Sequence, residues 1–374
     1  MFLQKLAVGL SFVSASIAEI IYAGFNEAGG EFNPSVLPGT YGKDYAFIDK
    51  DHVQYYIDHG VNTFRVTLLM ERMCPLEYGL GSKFNETYFS LYKEAVDYIT
   101  THGSYALIDP HNYMRYNNAS DQPYSGSVIG NSSDPNAATT EQFAGFWREL
   151  ASRFRYNPNV LFGINNEPHN MTTELILHND QAAMDAIRST GASQLVLVPG
   201  NGFTNAEIWT NLTGNGLELG STPSSEIMGK IYDPIDNWAF DMHLYMDYDF
   251  SGTHDQCVGV NFGVENLVLV TEWLEKHNFK AFLSEFGAGY NKVCYEALDN
   301  TITYLENRSP WIGWTYWAAG PIWWNNNGVP TDSAEPYKGK GFKTTWPIVL
   351  EPHVRSYQPM KRFGITSNFK NKCV

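Results

Sequence analysis

A closed parallel α/β architecture, the (β/α)8 TIM barrel, is what this sequence predicts, and three observations carry the prediction. Eight short apolar runs of strand length recur along the 374 residues. Between them lie longer stretches with apolar residues at intervals of three and four, the signature of an amphipathic helix, and strands alternating with helices give βαβ units and a parallel sheet. An open doubly wound sheet usually places a Gly-rich phosphate loop after its first strand, and Gly24-Phe-Asn-Glu-Ala-Gly-Gly30 does not fit G-x-G-x-x-G.

Taken in order, the chain begins with Met1, Lys5, an apolar stretch over 6–13 and Ser16-Ile-Ala18. That pattern predicts a secretory signal peptide over 1–18, too short to span a membrane. The expected strands are 20–25, 63–69, 105–109, 160–165, 195–199, 240–243, 281–285 and 312–317. The expected helices include 49–59, 86–102, 140–156, 173–190, 264–277 and 296–307. With no Pro/Ser/Thr-rich linker and no internal repeat, 19–374 reads as one catalytic domain. No second long apolar run occurs, and the polar end Phe369-Lys-Asn-Lys-Cys-Val374 offers no signal for a lipid anchor. The mature protein is therefore expected to be soluble and extracellular, without a membrane partner.

Composition narrows the substrate. The formal net charge of −15 disfavours nucleic acid, whose binding rests on Lys and Arg neutralising phosphates, and it favours a neutral ligand and a pH optimum below neutrality. Aromatic residues make up 15 % of the chain, with 10 Trp and 23 Tyr, more than a core alone needs. Flat aromatic faces suit sugar rings, although most individual aromatics serve core packing. Four cysteines, Cys74, Cys257, Cys294 and Cys373, allow three pairings, among which spacing does not choose. No C-x-x-C pair supports zinc. Six Asn-x-Ser/Thr sequons, at Asn85, Asn118, Asn131, Asn170, Asn211 and Asn307, agree with secretion.

The chemistry lies in two motifs. Asn165-Asn-Glu167-Pro168 closes the fourth apolar run and Ser284-Glu285-Phe-Gly287 closes the seventh. Each alone reads as an ordinary turn; together they supply the two carboxylates that glycoside hydrolysis needs on either side of one bond. Catalytic groups of a (β/α)8 barrel gather at the C-terminal ends of the strands. His111 and Asn112 follow the third run, Asn166 and Glu167 the fourth, and His243 and Tyr245 mark the sixth, while Trp317 ends the eighth and Arg65 lies inside the second.

These residues resemble glycoside hydrolase family 5, and within it the secreted fungal endo-β-1,4-glucanases often called cellulases. The matching pieces are Phe64-Arg65, Asp109-Pro-His111-Asn112-Tyr113, Asn166-Glu167-Pro168-His169, Asp241-Met-His243-Leu-Tyr245 with Ser251-Gly-Thr-His254, Ser284-Glu285-Phe-Gly287 and Trp317, across roughly residues 20–325. The resemblance implies that Glu167 is the acid/base and Glu285 the nucleophile of a retaining mechanism. Such a mechanism requires carboxyls about 5 Å apart. Arg65 and Tyr245 would then keep Glu285 ionised, and Asn166 would bind the sugar 2-OH. His111 and His243 would bind hydroxyls or orient Glu167, and Trp317 would stack on the reacting sugar. Arg65, the histidines, Tyr245 and Trp317 each also admit a purely structural role. Trp209, Trp323 and Trp324 are candidate platforms for outer subsites, with core or loop packing as the alternative.

The resemblance further implies a Cys257–Cys294 disulfide, with Cys74–Cys373 as the leftover possibility. It implies a β-glucan as partner and no cofactor, since hydrolysis through two carboxylates needs no metal. The chain is expected to act as a monomer. Many cellulases carry a cellulose-binding module on a Ser/Thr/Pro linker; its absence here favours soluble or amorphous glucan. Asp109-Pro-His replaces the more usual Asp-Leu-His, and Pro321-Ile-Trp-Trp324 is unusually rich in Trp. Exo-β-1,3-glucanase and β-mannanase activities share the fold and the glutamate pair. A glycan-binding cell-wall protein without turnover is the alternative of another class.

Overall fold

A computed structural model describes residues 20–117, 126–211, 221–323 and 333–356. The eight strands are β1 (Tyr22–Glu27), β2 (Thr63–Leu68), β3 (Tyr105–Pro110), β4 (Val160–Gly163), β5 (Val196–Val198), β6 (Trp238–Tyr245), β7 (Ala281–Gly287) and β8 (Trp311–Ala319). All neighbours run parallel, and β8 pairs with β1 to close the barrel. Each of the eight strands overlaps an expected run. Their residues are almost wholly buried, because a parallel barrel is covered by helices outside and filled by side chains inside.

Alternation sorts the two faces. Leu107, Leu161, Leu197, Ala239 and Phe282 form a small cluster of their own with Leu195 and Ile312, which is the plug of the barrel interior. Their neighbours Ala106, Ile108, Val160, Phe162, Val196, Val198 and Phe240 belong to the large cluster shared with the helices. One residue inward and the next outward is the period-two rule of a strand.

The covering helices are α1 (Lys50–Asp58), α3 (Glu86–Thr101), α4 (Thr140–Phe154), α5 (Thr173–Ser189), α7 (Phe262–His277) and α8 (Lys292–Glu306); a four-residue helix α2 (Met70–Met73) precedes α3. Asp49, Asn85, Thr172 and Asn291 cap α1, α3, α5 and α8 by accepting from free backbone N–H groups, and Thr139 with Gln142 forms a reciprocal capping box on α4. Three features fall outside the sequence expectation. Among the described residues, strand β5 is followed by the single turn α6 (Ser224–Ile227) and a 3-10 turn in place of a long helix. A two-residue antiparallel pairing, Arg115–Tyr116 with Ser127–Val128, projects after β3. A π-turn (Trp346–Leu350) running into α9 (Glu351–Ser356) completes the cover behind β8. No helix among the described residues is long and apolar enough to cross a membrane.

Two strand-end features prepare the site. The β6–β7 register pairs Met242 with Leu283 and then His243 with Glu285, so Ser284 is an extra residue and β7 bulges there. At the exit of β4, Glu167 takes φ 44°, a left-handed conformation that a residue with a side chain seldom adopts. Farther out, a disulfide joins Cys257, in the loop after β6, to Cys294 in the first turn of α8, with Cα atoms 5.4 Å apart. Cys74 is a buried thiol, pushed up to about 12 by burial. Residues 1–18, Asn118, Trp324 and Cys373 lie outside the described residues.

The Cys257–Cys294 crosslink closes a loop of sequence separation 37, for which loop-closure entropy gives about 2–4 kcal/mol. The double variant Cys257→Ser/Cys294→Ser is expected to melt several degrees lower, read by calorimetry; an unchanged melting temperature contradicts this.

Candidate active site

The site is assembled around one buried cation. Arg65 sits in β2, in register with Asn26 of β1 and Leu107 of β3, and is 1 % exposed. Its Nη1 donates to Asn26 Oδ1 at 2.8 Å and to Glu285 Oε2 at 3.0 Å. Its Nη2 donates to Asn166 Oδ1 at 2.6 Å and lies 3.1 Å from Asp109 Oδ1. Burial alone works against this charge, but Asp109 and Glu285 outweigh it and hold the guanidinium above its ordinary value. Asn26 is fixed in turn by donating Nδ2 to the carbonyls of Ser284, Thr315 and Tyr316.

Glu285 and Glu167 face the same imidazole. His243 Nδ1 is 2.7 Å from Glu167 Oε1 and 3.7 Å from Glu285 Oε2, and oxygens of the two carboxyls lie within 4.8 Å of each other. Their surroundings differ. Glu285 accepts from Arg65 on one oxygen and from the Tyr245 hydroxyl at 2.5 Å on the other. Burial raises its pKa, while Arg65, His111 and the Tyr245 bond pull it back. Glu167 has burial and then the charge of Glu285 against it, so its carboxyl is held well above the usual range. The arrangement thus favours a proton on Glu167 and a charge on Glu285.

His243 is held well below its ordinary value by burial, then by Arg65 and His111, and is neutral. Its Nε2 lies 3.0 Å from Ser284 Oγ, and the serine hydroxyl donates to Asp241. With Nε2–H given to serine, Nδ1 is left to accept the Glu167 proton. The β7 bulge makes this possible, since consecutive residues Ser284 and Glu285 both reach interior partners. Asp241 itself is pushed up to about 7 by burial, against the pull of Arg65 and Ser284.

Asn166 gives its oxygen to Arg65, which leaves Nδ2 buried and without a partner among the described residues; an orphaned buried donor is costly unless a ligand completes it. His111 binds Asp109 Oδ2 at 2.8 Å and stacks on Trp317 at 5.3 Å and 21°. Trp317 packs with Tyr245 and Trp323 into one aromatic wall. Of the candidate platforms, Trp209 is core, packed against Phe240 and Trp273, and Trp323 is 7 % exposed against Trp317 and Phe32. Asn112, beside His111 in sequence, serves structure by bonding Glu71 and the Met70 N–H. His169 stacks on Phe203, and burial lowers it to about 4.

Sequence reasoning assigned no role to Asn26, Asp109, Asp241 or Ser284, yet they fix Arg65, His111 and His243. The available signal was a polar residue inside an otherwise apolar strand. Among the described residues, three groups have ligand atoms close enough for a metal ion: Glu167 with His243 and Glu285, Asp49 with His52 and Glu335, and Asp247 with Asp249 and His254. Each is already engaged. His52 pairs with Glu335, which also accepts from Gly320 N–H, and Asp247 accepts three backbone N–H groups.

Residues 25–321 match the family model described as cellulase (glycosyl hydrolase family 5). The chain is 50 % identical to endoglucanase 1 of Robillarda sp. (strain Y-20), over 87 % of this chain and 84 % of that protein. It is 36 % identical to endo-β-1,4-glucanase A of Emericella nidulans, over 92 % and 95 %. Among solved structures, an endo-β-1,4-glucanase of Xanthomonas axonopodis pv. citri superposes with a TM-score of 0.79 at 32 % identity, over 90 % of this chain and 99 % of that one. The structure of XacCel5A in complex with cellopentaose gives 0.76 at 33 % identity, over 85 % and 95 %.

Two outcomes follow from the charges. Removing the hydroxyl that stabilises ionised Glu285 raises that pKa, so Tyr245→Phe is expected to move the acid limb of the pH–rate profile upward and to lower kcat by roughly 10²-fold; an unmoved limb contradicts it. The raised Asp241 carboxyl favours the folded state fully below its unfolded value, and that contribution is lost as pH rises through about 7. Melting temperature should therefore fall from about pH 4 to about pH 7, and Asp241→Asn should flatten the slope.

Proposed function

Because the chain belongs to glycoside hydrolase family 5, we propose that it is a retaining endo-β-1,4-glucanase that cleaves internal bonds of cellulose-type glucans by double displacement. The observation that carries the reading is the approach of the Glu167 and Glu285 carboxylate oxygens to within 4.8 Å. Retaining enzymes hold the two carboxyls about 5–5.5 Å apart, whereas inverting enzymes leave about 6.5–9.5 Å for a water.

In this reading Glu285, charged beside Arg65 and Tyr245, attacks the anomeric carbon while Glu167 protonates the departing glycosidic oxygen. The ester so formed removes the charge of Glu285. That charge is one cause of the raised pKa of Glu167, so its loss makes Glu167, now deprotonated, the base that takes a proton from water. The hydroxide attacks the same carbon, the ester breaks, and Glu285 recovers its charge. Two inversions leave the β-configuration. Asn166 Nδ2 is placed to hold a sugar hydroxyl, a contact that strengthens as positive charge develops on the ring, and Trp317 offers a face to the reacting sugar.

The relatives at 50 % and 36 % identity are endoglucanases by name, which supports β-1,4-glucan over the laminarin and mannan that the same carboxylate pair serves elsewhere. We further propose that residues 1–18 direct export, that 19–374 act as one catalytic domain and that the secreted enzyme works as a monomer without membrane or nucleic-acid partners.

Reducing-end release from carboxymethyl-cellulose and barley β-glucan is expected to exceed that from laminarin and mannan, and Glu285→Gln should abolish it. Proton NMR should find the β-anomer first. Absence of hydrolysis of the β-1,4-glucans, or an α-anomer, contradicts the reading.

A further inference from the structure

The loop that follows β6 braces an exposed aromatic side chain through a chain of hydrogen bonds. Tyr248 is 68 % exposed, yet its hydroxyl lies 3.2 Å from His254 Nε2, with ring centroids 4.5 Å apart. His254 is fixed in turn, with Nδ1 3.0 Å from Asp247 Oδ2. Asp247 is buried and accepts from the N–H groups of Gly252, Thr253 and His254. The brace runs from a buried carboxylate, through an imidazole, to a tyrosine in solvent.

The loop is anchored at both ends, the first of them next to the reacting groups. Three residues before Tyr248, Tyr245 donates to Glu285. Gly252, at φ 68°, lies so close to the Tyr245 ring that a Cβ there would meet it at 2.5 Å. On the far side, Asn291 Nδ2 bonds Asp255 O at 2.7 Å, and Cys257 is tied to Cys294. An exposed tyrosine contributes little to folding when its motion is frozen, but a ligand that stacks on it loses less entropy on binding. A flat face with a fixed edge suits the apolar face of a pyranose.

Resting on the glucanase reading, we propose that Tyr248 is the stacking platform of an outer subsite, taking a pyranose ring of the glucan beyond the sugar at the bond being cleaved, with His254 and Asp247 as its positioning residues. A platform outside the reacting subsite contributes only when the substrate is long enough to reach it.

The test compares kcat/KM on a hexasaccharide and on a short chromogenic disaccharide glycoside for wild type, Tyr248→Ala, Tyr248→Phe and His254→Ala. The hexasaccharide is whichever of the cello-, laminari- and manno- series the wild type cleaves. Failure on the cello- series therefore counts against the glucanase reading and leaves the comparison intact. Tyr248→Ala is expected to lose roughly tenfold on the hexasaccharide, through KM, with the short substrate unchanged. Tyr248→Phe should retain most activity, and His254→Ala should fall between. Equal losses on both substrates, with a lowered melting temperature, would mean a merely structural role and overturn the proposal. No loss on either would overturn it as well.

Discussion

One buried guanidinium organises this site. Arg65 stands at the centre of the barrel's catalytic end, and through it Glu285, Asn166, Asp109 and Asn26 acquire fixed positions. Its charge cannot be removed by deprotonation, so the nearby carboxylates titrate in its field. That field lowers Glu285, Asp241 and Glu167, and it helps keep His243 neutral. A buried charge is tolerable only when paired and fully hydrogen-bonded; losing one partner of such a pair costs about 3–5 kcal/mol. The arginine and its carboxylates therefore depend on each other for stability as much as for chemistry.

What separates the two glutamates is the remainder of their surroundings. Glu285 receives two donors, whereas Glu167 meets, among the described residues, a neutral imidazole whose other nitrogen is occupied by Ser284. Desolvation of both carboxyls with unequal donation drives the two pKa values apart, which is how one pocket holds an acid and a nucleophile together. Backbone irregularity makes the arrangement reachable. A regular strand points successive residues to opposite faces, whereas here Asn166 and Glu167, and again Ser284 and Glu285, act in pairs. The left-handed turn at Glu167 and the bulge at Ser284 are the local departures that allow it.

Much of this was legible in the chain because burial on both faces writes a parallel strand as a continuous apolar run. Even three-residue β5 stands out, within Leu195-Val-Leu-Val198 before Pro199-Gly200. The single turn α6 was not legible, because four residues show no helical period, nor was the short pairing at Arg115–Tyr116, which carries no alternation. At the site, the charged or polar residue at a strand end could be read, while its support could not. Asn26, Asp241 and Ser284 are ordinary polar residues whose meaning depends on register and a bulge, both of which are set by tertiary pairing. Of the two roles open to Trp209 in the sequence, sugar platform or core packing, the fold selects the second, against Phe240.

The central claim is the division of labour between the two carboxyls, and trapping the intermediate tests it most directly. A 2-deoxy-2-fluoro-β-cellobioside with a good leaving group should form a stable glycosyl ester, located by mass spectrometry of the digested protein. The account predicts one label, on the peptide bearing Glu285, and its absence in Glu285→Gln. A label on Glu167, or turnover of the reagent with no covalent adduct, would contradict it.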